Sequence, residues 1–97
     1  MYQESIKYVI VSSMGCEVPI LFDPCIKHST ICRKAISAGF VDIIPIVDDM
    51  LLVHAYGESI SLNTESRGET DAKLICRMLS NCTRSDECLY VTRLKNK

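Results

Sequence analysis

The sequence predicts an α+β fold: a mainly antiparallel sheet with two helices on one face, in the order ββαββαβ. Three observations point there. Short runs rich in β-branched and aromatic residues (IKYVIVSS, VPILF, FVDIIPIV, LLVHAY) recur between glycine, proline and aspartate breaks. Two further stretches switch to apolar residues three and four apart, the period of a helix face. With 97 residues, 47% apolar and 24% charged, the chain has enough material for one core and one domain over 1–97.

Residues Ile6 to Ser13 lack strong helix formers and read as a buried strand closed by Gly15. Val18 to Phe22 forms a second strand, joined to the first by a hairpin, and Pro19 suits an edge position because it has no N–H to give a neighbour. After the Asp23-Pro24 turn, Ile31, Cys32, Ala35 and Ala38 fall on one helical face within a first helix over His28 to Ala38, ended by Gly39. Phe40 to Val47 and Leu51 to Tyr56 make a second hairpin about Asp48-Asp49, with Pro45 marking an edge or a bulge. The last of these strands bends at Gly57-Glu58 and resumes at Ile60 to Leu62. Ser66-Arg67-Gly68-Glu69 has capping-box spacing, a hydroxyl to accept from a free backbone N–H and a carboxylate three residues on. It opens a second helix whose Ala72, Ile75, Cys76 and Leu79 share a face. Ser80 to Glu87 is a loop, and Cys88 to Leu94 a final strand.

Composition excludes several functions. A chain this short has no room for a large multi-substrate enzyme, and its longest uncharged run, Tyr8 to Cys16, falls well below the roughly 20 residues of a membrane helix. No small-residue cleavage site follows a basic start, so the expected location is the cytoplasm, where the six cysteines remain thiols and Cys82 with Cys88 is the best disulfide candidate. The net charge of −1 conceals an asymmetry. Residues 1–41 carry four bases and three acids, 42–72 seven acids against Arg67, and 73–97 six bases against two acids.

Three constellations bear on chemistry. Cys25, His28 and Cys32 supply zinc-type ligands, but no second close pair completes a ribbon or finger, and Cys32 belongs to the apolar face of the first helix. No metal or cofactor is therefore expected, and a small zinc- or nucleic-acid-binding module is the alternative. His28 and His54 are the only imidazoles; neither sits in a nucleophile motif, and His54 shares a sheet face with Leu52 and Tyr56, so no enzyme is expected. The tail bases Arg84, Arg93, Lys95 and Lys97 form a solvated face, since a pI near 6.1 lacks the basic footprint of a nucleic-acid binder.

The acidic middle is the unusual feature. Asp42, Asp48, Asp49, Glu58, Glu65, Glu69 and Asp71 are the candidate partner-binding residues: carboxylates projecting from one side can occupy a Lys/Arg groove built for DNA phosphates. Ordinary solubilising turn charges are the plainer explanation for the same residues.

The stretches SAGFVDI and YGESISLNTESR, with the paired hairpins and the helix that follows, resemble short proteins encoded by bacteriophages and prophages, over about residues 7 to 80. Proteins of that kind and size include counter-defence inhibitors of the anti-CRISPR type. The resemblance implies a non-enzymatic protein in the host cytoplasm that binds a host defence complex at a basic, nucleic-acid-binding surface and acts as a DNA mimic.

Overall fold

A computed structural model describes residues 5–47, 50–83 and 89–90. Its elements in chain order are β1 (Ile6–Ser13), β2 (Cys16–Phe22), α1 (His28–Ile31), β3 (Ser37–Val47), β4 (Met50–Tyr56), β5 (Glu58–Ser59), β6 (Thr64–Glu65), α2 (Glu69–Thr83) and β7 (Leu89–Tyr90). Among the described residues the main sheet runs β2-β1-β3-β4-β7, and β5 with β6 forms a separate two-stranded ribbon. Pairing is antiparallel except between β4 and β7, which run parallel. This is the α+β, mainly antiparallel class the sequence predicts.

Alternation sorts the sheet residues onto two faces. One face carries Tyr8, Ile10, Val41, Val53 and Ala55, which pack with Ala72, Ile75 and Cys76 of α2 into the buried core. Fully burying an aliphatic or aromatic side chain of this size contributes about 1.5–3 kcal/mol, so α2 is held by its apolar stripe. The opposite parity carries Phe22, Lys7, Phe40 and Tyr56, which are successive cross-strand partners on β2, β1, β3 and β4. His28 of α1 packs edge-on against Phe22 and Phe40, at centroid distances of 5.4 and 5.8 Å. The two helices therefore flank the sheet instead of sharing a face. The reason is connectivity: β2 is the edge strand, and the chain from β2 to β3 passes over β1, with the Ile36 N–H donating to the Ile10 carbonyl (2.8 Å).

Pro19 and Pro45 are placed by their missing N–H: Pro19 lies on the edge strand, and the β3–β4 register shifts between Pro45 and Val47. The β1–β2 hairpin turns through Met14 and Gly15, both at positive φ (52° and 80°), the twist a two-residue hairpin loop needs. The first helix is shorter than the spacing predicts. Lys27 offers no side-chain cap, Cys32 is already extended, and Ala38 is buried within β3. Gly57 (φ 83°) ends β4, and the chain returns as a short ribbon closed by a turn at 60–63, where the sequence predicts one bent strand. α2 continues through Thr83, into the stretch from Ser80 that the sequence predicts as loop.

Cys16 and Cys32 are free thiols and Cys25 is exposed, whereas Cys76 is disulfide-bonded. The expectation that every cysteine is a thiol does not hold at Cys76, and because disulfides persist mainly in oxidising compartments, the thiol argument for the cytoplasm does not extend to it. The Cys82 with Cys88 pairing lies outside the described side chains. No helix among the described residues is long and apolar enough to cross a membrane. Maleimide labelling of the chain unfolded in denaturant is expected to modify Cys16 without reductant and the core residue Cys76 only after reduction; peptide mapping that finds Cys76 modified beforehand would contradict the bond.

Candidate functional site

The acidic residues divide by burial. Asp71 is fully buried, which removes it from any docking surface. It stands in the first turn of α2 at the level of the core, and four donors meet its carboxylate. Oδ1 accepts from Ser37 Oγ (2.9 Å) and Arg67 Nε (2.8 Å), and Oδ2 accepts from the Arg67 backbone N–H (2.9 Å) and the Tyr8 hydroxyl (2.6 Å). A buried carboxylate requires such saturation, because each unpaired lone pair would carry its full desolvation cost. Tyr8 Oη also lies 2.6 Å from Ser66 Oγ. The phenol has one proton, which goes to the carboxylate, so Ser66 donates to the phenol oxygen and accepts from the Gly68 N–H (2.9 Å). Burial, and then the bond to Asp71, raise the Tyr8 pKa far above the usual phenol range.

Arg67 links this network to the surface, where its guanidinium meets Glu17 of β2 (Nη2 to Oε1, 3.0 Å). Burial alone lowers the Arg67 pKa, but the bond to Glu17 and the Asp71 charge outweigh it and the net shift is upward. The predicted capping box is thus rearranged: Ser66 caps through Gly68, and the carboxylate that reaches back is that of Asp71, not Glu69. Replacing Ser66 with Ala removes an acceptor at a helix start and the partner of Tyr8, and is expected to lower stability by about 0.5–2 kcal/mol in a denaturant titration. An unchanged midpoint would place the cap elsewhere.

Asp42 is half-buried on the α1 side of the sheet. Its Oδ1 accepts from Ser5 Oγ (2.6 Å), which also bonds the Tyr56 hydroxyl, and its Oδ2 lies 3.9 Å from His54 Nδ1. His54 stacks on Tyr56 at 4.8 Å, and Tyr56 lies nearly parallel to Phe40 at 6.0 Å. Asp42 therefore anchors an aromatic row. Asp48 and Asp49 lie outside the described residues.

Glu58, Glu65 and Glu69 remain at the surface. Glu58 and Glu65 are direct register partners across the β5–β6 ribbon, both exposed and neither ion-paired among the described residues. Cross-strand partners hold their Cβ atoms about 4.5–5.5 Å apart, so two carboxylates share one small patch. Glu69 follows at the start of α2, 4.0 Å from Lys73. Cys25, His28 and Cys32 form no metal-ligating group among the described residues. His28 is buried, with Nε2 2.9 Å from the Gly39 carbonyl.

Beside the ribbon, an open cleft of about 570 Å³ is lined by Lys7, Lys27, His28, Phe40, Tyr56 and Gly57, with Glu58, Ile60 and Ser61 at its edge. Sequence reasoning missed this cleft, because strand parity announces that Lys7, Phe40 and Tyr56 can share a face but not that β1, β3 and β4 lie side by side. No family model matches the chain, and neither does any curated protein or any solved structure.

Proposed function

We propose that the chain is a non-enzymatic, stoichiometric inhibitor that docks an acidic edge, centred on Glu58 and Glu65, onto a basic surface of a host nucleic-acid-targeting defence complex, where it competes with DNA. The observation that carries this reading is the direct opposition of the two glutamates. Like charges placed opposite each other destabilise a ribbon, and a local arrangement that costs stability without a structural return marks a functional surface. Glu69 extends the same charge toward α2, and a basic groove that handles phosphates is the complement of such an edge. The resemblance of SAGFVDI and YGESISLNTESR to short phage- and prophage-encoded proteins, a group that includes counter-defence inhibitors, supports a defence complex as the partner.

The test is a Glu58→Gln, Glu65→Gln double variant compared with the parent for capture of a purified DNA-targeting defence complex. The variant is expected to melt no lower than the parent, since a repulsion has been removed, yet to bind about tenfold more weakly, mainly through slower association. Equal affinity and equal salt response would show the two glutamates to be solvated ribbon charges.

A further inference from the structure

We infer that the cleft between α1 and the β5–β6 ribbon binds a small aromatic anion, its ring lodged against Phe40 and Tyr56 and its carboxylate or phosphate held at Lys7 and Lys27. The volume of about 570 Å³ lies within the range of about 300–1,000 Å³ common for small-molecule sites. Its floor is a cross-strand row, Lys7, Phe40 and Tyr56, on three adjacent strands, so the site stands on the rigid part of the sheet. The Tyr56 ring is fixed at its hydroxyl by Ser5 and at its face by His54. His28 closes the inner wall edge-on to Phe40.

The charged groups set the polarity of the ligand. Lys7 Nζ donates to the Ile26 carbonyl (2.9 Å), immediately before Lys27, which brings both ammonium-bearing residues to the same end of the cleft. An ammonium has three donors, so Lys7 keeps two for an anion, and Lys27 is exposed without an ion pair among the described residues. Glu58 is the single acid of the lining, leaving the site net positive. At its mouth Ile60 stands 87% exposed, a large apolar side chain that a bound ring would cover. Ser61 Oγ accepts from the Ser29 N–H (3.2 Å), which ties the two walls together.

The test titrates the intact chain with indole-3-acetate and adenosine 5′-monophosphate, and with their neutral counterparts indole-3-acetamide and adenosine, followed by NMR. At least one anion is expected to bind about fivefold more tightly than its neutral counterpart, shifting the signals of Phe40, Tyr56 and Gly57. Lys27→Gln should abolish that preference, and Ile60→Ser, also at an exposed position, should weaken both charged and neutral forms. Preference for one anion over the other identifies the headgroup as carboxylate or phosphate. The inference is overturned if neither anion binds, if neutral and charged forms bind alike, if Lys27→Gln leaves the preference intact, or if the shifts map elsewhere. Glu58 borders both sites, but the Lys27 and Ile60 variants leave the Glu58–Glu65 pair intact, so the two readings can fail separately.

Discussion

Asp71→Ala is expected to lower stability by about 3–5 kcal/mol, a large share of the roughly 5–15 kcal/mol by which native domains are stable. The substitution removes an acceptor on which Tyr8, Ser37 and the side chain and backbone of Arg67 converge. Two of those donors belong to fully buried residues, and water cannot replace the lost partner without opening the core. Asp71→Asn should cost less, about 1–3 kcal/mol, because the amide keeps shape and one acceptor while turning its NH₂ toward donors. Chemical denaturation of both variants checks the order. A loss below about 1 kcal/mol for Asp71→Ala would mean that the network does not secure α2 to the sheet.

The second large effect is at Gly39. A Cβ there would run into the carbonyl oxygen of Tyr56 and come within 3.1 Å of Ser66 Cβ and 3.3 Å of the Gly57 carbonyl carbon. Two of these neighbours are backbone, so relief requires moving the chain where β4 leaves the sheet. That chain is held by the Ser66 N–H to Gly57 carbonyl bond (2.9 Å), and Ser66 in turn meets Tyr8. Gly39→Ala is therefore expected to cost about 1–3 kcal/mol by overpacking. Gly15→Ala, with open space around it but φ of +80°, should cost about 1 kcal/mol from conformation alone. Thermal melts that rank Gly15→Ala as the more damaging would contradict the close approach of the Tyr56–Gly57 and Ser66 segments to β3.

Much of the fold is legible in local pattern, and what is not follows from long-range placement. The strands at Ile6–Ser13 and Val18–Phe22 (observed from Cys16), the Pro19 edge, the Pro45 irregularity and the α2 stripe each rest on residues within a few positions of one another. The side of the sheet that α1 occupies depends instead on β3 pairing with β1, a contact between distant parts of the chain. The first helix forms but stops at Ile31, short of the predicted Ala38, because Ala35 and Ala38 match a helical period over too short a stretch and Ala38 is buried within β3.

Among the candidate acids, sequence alone cannot separate Asp71 from Glu69. Both stand in the first turn of α2, but Asp71 meets the core-facing Tyr8, and Glu69 points to solvent. Glu58 and Glu65 stand out only when β5 and β6 are seen to pair. Conversely Lys7, Phe40 and Tyr56 carry no motif, because their common cleft is assembled from three strands and two loops.

Competition with DNA tests the central claim most directly. A DNA-targeting complex that binds the parent chain would be titrated with the chain at increasing concentrations of its duplex target, at fixed salt. If the carboxylate edge stands in for phosphates, DNA and chain exclude one another: the apparent Kd for the chain rises in proportion to free DNA, and both affinities fall steeply with added salt. A ternary complex holding duplex and chain together, with chain affinity unchanged by DNA, would contradict the account.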